Sequence, residues 1–298
     1  SSVCHEWVML MGEAVPTMPR RLLGGELRRL RVDAGKSQDE AATAIGKART
    51  RIGKFEEGRS NLTAGELETL LDLYGATKAE RKQVLAMGVE ARQRQPKRAY
   101  VDLLPDSFQR QADLQVLSQM ICVYSKGIYP GLLQAPEYAE ALMAAGDGLW
   151  WGRSYQERTR RVAFRLEWQR RVFEADALKE LRFIFTDDAF GAEVGGPEVM
   201  RIQAEHVLRI MDERPNVRVQ ILRADTRNNP AQHGGLTVLH FDKPTPPVGF
   251  VSVVYGPSPY LNDPADTDAF VRVFERLGEL ALDQEESRRL LAKQLKRS

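Results

Sequence analysis

The sequence predicts a mainly α chain in two parts: a small helical domain in the N-terminal third, then a larger α+β domain in which helices flank a sheet expected to be antiparallel. Three observations predict it. Before residue 90, apolar residues recur at helical spacing behind Ser/Thr-x-x-Glu start signals. After residue 100, short alternating runs such as Val217–Leu222 lie between helical stretches. Charge divides in the same place, with 18 Lys and Arg against 11 Asp and Glu in residues 20–98 and 25 against 30 elsewhere. At 298 residues, 43% hydrophobic and 28% charged, the chain is long enough for about two domains.

Residues 1–19 contain a short apolar centre, but Glu6 precedes it and no basic segment does, so a flexible leader is expected here and not a signal peptide. No run of 18 apolar residues exists, which argues against a membrane span. Cys4 and Cys122 are too few and too far apart for a disulfide framework or a zinc cluster, as expected of a reducing cytoplasm.

Leu22–Asp33 places Leu23, Leu27 and Leu30 on one helical face, extended by Val32, with Arg28, Arg29 and Arg31 expected to point outward. Ala34-Gly35 closes that helix. Ser37 and Glu40 form a capping box that starts the next helix at Gln38. Ala41, Ala42 and Ile45 are small or apolar, as a close helix crossing requires, and Gly46 permits the turn. Ala48–Glu56 follows, with Ile52 and Phe55 inward and Lys47, Ala48, Arg49, Arg51 and Lys54 left for solvent or a ligand. Thr63 and Glu66 form a second capping box opening Ala64–Tyr74.

Two short helices meeting at a tight turn, the second basic on its outer face, suit insertion into a DNA major groove. Arg49 and Arg51 have the fork that pairs with guanine, Lys47, Lys54 and Arg59 suit phosphates, and Gln38 and Thr50 are placed to set the register. The order L-x-x-L-R, S-Q-x-x-A-x-x-x-G, I-x-x-F-E-x-G-R and a last helix ending L-Y-G resembles the lambda-repressor-like, or Xre-type, helix-turn-helix domain over roughly residues 20–90. Lys47-Ala48-Arg49-Thr50 replaces the serine-rich helix start more usual in that family, so the operator sequence cannot be inferred. Gly35-Lys36-Ser37 is not the end of a phosphate-binding loop, because Leu30 stands where its first glycine would be required.

Residues 91–99, polar, basic and interrupted by Pro96, read as a linker, either a spacer or an additional phosphate contact. The region 100–298 then reads as a helix running into a strand at Met120–Ser125, and a Pro130-Gly131 turn leading to a helix with Pro136 in its first turn. A long arginine-rich helix follows over Tyr155–Ala175, with Val162, Leu166 and Phe173 as its apolar stripe. Beyond it come strands at Leu181–Thr186 and Val217–Leu222 around a helix at Glu198–Glu213, a hairpin from Leu236–Phe241 and Val248–Tyr255, and two closing helices. The arginines are assigned to salt bridges and an oligomer surface in preference to DNA. Tyr129, Trp150, Trp151 and Tyr255 are candidates for lining an effector pocket, against the plainer reading that such aromatics are core.

Ile128–Ala139, containing PGLLQAPEYA, resembles the PGLLQT-x-EYA signature of an actinobacterial group of Xre-type regulators described as antitoxin-like. That resemblance implies a C-terminal domain of unknown function and a small partner protein encoded nearby. Enzymatic motifs are lacking: His233-Gly234-Gly235 has no matching G-x-S-x-G, no H-E-x-x-H occurs, and Cys122 lies in an apolar run. No catalytic residue, metal or cofactor is therefore expected. The expectation is a cytoplasmic, homodimeric DNA-binding transcriptional regulator, nucleoid-associated when bound to double-stranded DNA, whose C-terminal domain senses a small-molecule effector or a protein. The alternative is an antitoxin-like protein that neutralises a small partner and binds DNA for autoregulation.

Overall fold

The computed structural model describes residues 16–93, 99–104, 106–150, 154–175, 178–242, 245–253 and 256–296. The chain divides into two compact units. The first holds the N-terminal helices together with Leu103–Leu114 and Pro246, and the second holds the rest.

In the first unit, α1 (Met18–Asp33) begins four residues before the expected Leu22, because Pro19 is accommodated in a first helical turn and Met18 is buried. Helices α2 (Gln38–Ala44), α3 (Arg49–Glu56) and α4 (Ala64–Leu73) follow, with both expected capping boxes formed. A further helix, α5 (Lys78–Arg92), opens on a third box at Thr77 and Glu80. Leu22, Leu27, Leu30, Ile52, Leu67, Leu70 and Val84 bury the apolar stripes of these helices against one another. Two α1 residues depart from expectation: Val32 is 58% exposed, and Arg31 is turned inward. Arg21 is also buried and donates from Nη2 to the Pro246 carbonyl at 2.6 Å.

The second unit is built on a seven-stranded sheet, among the described residues: β1 (Tyr100–Val101), β2 (Met120–Ser125), β3 (Glu180–Thr186), β4 (Val217–Leu222), β5 (Leu236–His240), β6 (Val248–Val251) and β7 (Pro259–Leu261). Their spatial order is β1-β7-β6-β5-β2-β3-β4. The expected antiparallel pairing holds from β1 through to β2, including the β5–β6 hairpin, whereas β2, β3 and β4 run parallel. The cause is the connections. Between β2 and β3 lie α7 (Pro136–Ala144) and α8 (Tyr155–Phe173), and between β3 and β4 lies α9 (Pro197–Glu213). Crossovers of that length return the chain in the same direction.

Helices cover both faces of the sheet. On one, α10 (Pro264–Leu280) packs Phe274 and Leu277 against Cys122, Tyr124, Ile184 and Val238. On the other, Tyr129 packs at a tilt against Phe185 with ring centroids 5.0 Å apart and meets Tyr138 of α7 edge-on at 5.4 Å. The outer edge of β4 is closed by the chain around α11 (Gln284–Gln294): Leu282 N–H donates to Ile221 O at 2.9 Å, and Ile221 N–H donates to Ser287 Oγ at 2.9 Å. The remaining helix, α6 (Ser107–Leu117), precedes β2. Among the described residues, no helix is long and apolar enough to cross a membrane.

Candidate nucleic-acid interface

The turn between α2 and α3 is made by backbone. Gly46 adopts φ +63°, and the Lys47 and Gly46 N–H groups donate to the carbonyls of Ala42 and Thr43 at 2.9 and 3.1 Å. This doubled closure ends α2 abruptly and sends the chain into α3. Ala41 and Ala42, both buried, let the helices cross closely, and Ile52 and Phe55 hold the inner face of α3 in the core. The outer face therefore consists of what remains: Lys47, Ala48, Arg49, Thr50, Arg51 and Lys54 are all exposed, with Arg59 half-buried just beyond the helix.

Two of the cations at the start of α3 face carboxylates. Arg49 Nη1 lies 3.6 Å from Asp39 Oδ2, and Lys47 Nζ lies 3.7 Å from Glu66 Oε1. Both are long and both cations face solvent, and such pairs contribute about 0–1 kcal/mol, so a phosphate or base can replace the carboxylate at little cost. Arg51 lies over the Phe55 ring at 4.9 Å, which orders the guanidinium without removing its N–H donors. Arg59 is 3.0 Å from Glu57. Ala48, at the start of α3, provides no side-chain cap.

Gln38 does more than its place at the start of α2 indicates. Its Nε2 donates to Glu56 Oε2 at 2.9 Å, while Arg31 grips the same carboxylate through Nε at 2.6 Å and Nη2 at 3.0 Å. Arg31 Nη1 also donates to the Lys36 carbonyl. Helices α1, α2 and α3 are thus tied at one buried carboxylate, and the hydrogen bonds that Arg31 donates to Glu56 hold its pKa above the ordinary value. Burial, with the nearby Glu56 charge, raises the Tyr74 phenol. Arg31 follows the buried Leu27 by four residues, one helical turn, and Glu56 lies beside the buried Phe55, so both fall at the margin of an inward helical face.

The aromatic candidates of the second unit do not form one site. Tyr129 is 1% exposed and belongs to the core between Tyr138, Phe185 and Phe190, so it lines no open wall. Trp150 is 49% exposed, and Trp151 and Tyr255 lie outside the described residues. Cys122 is buried, and burial pushes its thiol up to about 12, which makes it a poor nucleophile at neutral pH. Among the described residues, no group of His, Cys, Asp and Glu could hold a metal ion.

Residues 22–84 match the profile of a helix-turn-helix domain. Residues 108–293 match that of a domain of unknown function, DUF5753. The chain belongs to the DUF5753 family. No curated protein matches the sequence. The helix-turn-helix match spans α2, the Gly46 turn and α3, so the exposed cations lie on the part of that domain whose shape suits DNA. The DUF5753 match takes in the whole of the sheet except β1.

Proposed function

We propose that this member of the DUF5753 family is a sequence-specific, homodimeric transcriptional regulator of the Xre type that acts in the cytoplasm and has no catalytic activity. The observation that carries the reading is the exposed basic face of α3, presented by a tight turn inside a helix-turn-helix domain. In this reading α3 enters the major groove, Arg49 and Arg51 read base edges, Lys47, Lys54 and Arg59 meet phosphates, and Gln38 and Thr50 set the register. The second unit joins two copies and answers an effector or a protein. The test is selection of bound duplexes from a random library by the full chain, followed by affinity measurements on the recovered sequence. A two-fold symmetric site is expected, with Arg49→Ala and Arg51→Ala each weakening it by about 1–3 kcal/mol. Unchanged binding by the double variant would mean that another helix reads the DNA.

A second reading, an antitoxin-like protein that neutralises a small partner, is favoured by one observation. Leu149 and Tyr155 are 79% and 70% exposed, on either side of the half-exposed Trp150 in sequence, and exposed apolar residues of that size suit a protein contact. Co-purification of a small stoichiometric protein from the native host, lost on Leu149→Asp, supports it; recovery of the chain alone removes it.

A further inference from the structure

Helix α8 is dense in arginine, and carboxylates pair with three of its cations. Arg158 pairs with Asp147, Arg161 with Glu157 at 2.7 Å, and Arg170 with Glu167 and Glu174 at 2.7 and 3.1 Å. Arg160 is exposed and solvated. Arg165 differs from all of these. It is half-buried, no carboxylate among the described residues pairs with it, and burial alone lowers its pKa to about 10.

The guanidinium is nonetheless held in place. Nη1 donates to Gln134 Oε1 at 2.5 Å, and the group lies 5.5 Å from the centre of the Trp168 ring. Gln134 is itself fixed, since its Nε2 donates to the Tyr129 carbonyl at 2.8 Å and its own carbonyl accepts from Gln169 Nε2 at 2.9 Å. Gly131 makes room, because a Cβ there would stand 3.0 Å from both Arg165 Nη1 and Trp168 Cζ3. Among the described residues, the Nε–Nη2 edge of Arg165 has no hydrogen-bond acceptor. Elsewhere in this chain that same edge takes a carboxylate: Arg31 with Glu56 at 2.6 and 3.0 Å, Arg170 with Glu167 at 2.9 and 2.7 Å, and Arg201 with Glu198 at 2.9 and 2.7 Å. A planar fork in desolvated surroundings, locked by neighbours and without a carboxylate among the described residues, suits one from outside.

We propose that the Nε–Nη2 edge of Arg165, framed by Trp168 and the Gly131–Gln134 turn, binds the carboxylate of a small organic acid whose apolar body rests beside the indole. As a ligand site it stands on the second unit alone; as the effector site of a regulator it rests on the function proposed above.

The test uses the full chain, with arginine Nε–H signals followed by proton–nitrogen NMR at constant ionic strength. Benzoate is the probe, benzamide its uncharged counterpart and sulfate the control for general anion effects. One Nε–H signal, missing from Arg165→Lys, is expected to move saturably with benzoate and to stay in place with benzamide and sulfate. Arg165→Lys keeps the charge but lacks the fork, and should bind benzoate about tenfold more weakly; Arg161→Lys should bind as the parent does. A signal unmoved by benzoate, or moved equally by sulfate, overturns the proposal, and this titration needs no variant beyond the assignment. Saturable binding by a chain that selects no DNA would keep the site and remove the regulator reading.

Discussion

Arg31 and Glu56 meet in a two-point ion pair at 2.6 and 3.0 Å, joining the first helix of the DNA-binding unit to the end of the helix that carries its exposed cations. The pair is withdrawn from water, so losing one partner leaves the other charge buried and uncompensated. Glu56→Ala should destabilise the first unit by about 3–5 kcal/mol, read as faster amide hydrogen exchange across α3. Replacing both residues, Arg31→Met with Glu56→Leu, should recover most of that loss. A double variant no more stable than the single one would mean that Gln38, which shares the carboxylate at 2.9 Å, depends on it as much as Arg31 does.

Lys47 and Lys54 are exposed and are assigned to phosphates, not bases. Changing either to Ala should weaken all duplexes alike and reduce the slope of log affinity against log salt by about one. Loss of sequence preference instead would move these lysines to the base edges.

Acid should loosen the N-terminal helices through their capping boxes. The Ser37 backbone N–H holds the Glu40 carboxyl down to about 2, and Thr63 and Thr77 lower Glu66 and Glu80 in the same way. A carboxylate whose folded pKa is depressed contributes stability above its unfolded pKa of about 4.3, and that contribution is lost as pH falls through the folded value. The thermal midpoint of the first unit should therefore drop between about pH 5 and pH 2. Glu40→Gln should show a shallower drop from a lower starting point.

Buried and with its thiol pushed up to about 12, Cys122 should resist reagents that attack thiolates. In a Cys4→Ser background the native chain should react slowly with a disulfide reagent, and at the ordinary rate in denaturant. Rapid reaction of the native form would show that α10 opens readily from the sheet.

Much of this architecture was legible in the sequence, for reasons that are local. Ser37-x-x-Glu40 and Thr63-x-x-Glu66 specify helix starts by side chains that satisfy neighbouring backbone, and both helices begin where those signals place them. Val217–Leu222 alternates strongly enough to give its strand end to end. Lys78–Arg92 is less plain, because its charges resemble those of the segment after it, although Thr77-x-x-Glu80 repeats the same start signal. Strands β1 and β7, two and three residues long, are too short to show a period. The parallel direction of β2, β3 and β4 depends on crossovers, which no single segment encodes. In the candidate interface, exposure of the cations on α3 follows from helical spacing, but the inward turn of Arg31 and the bond from Gln38 to Glu56 depend on where three helices meet. Arg165 was hidden for a similar reason, since a run of arginines does not disclose which member lacks a carboxylate.

Ile221 has its outward backbone N–H and carbonyl occupied by Ser287 and Leu282. A foreign strand arriving alongside β4 would find no free donor or acceptor at that position, and the C-terminal helix stands where it would have to lie. This margin of the sheet is thereby closed to the edge-on zippering through which β proteins aggregate or lengthen into fibres. Copies that meet at this margin must do so through side chains.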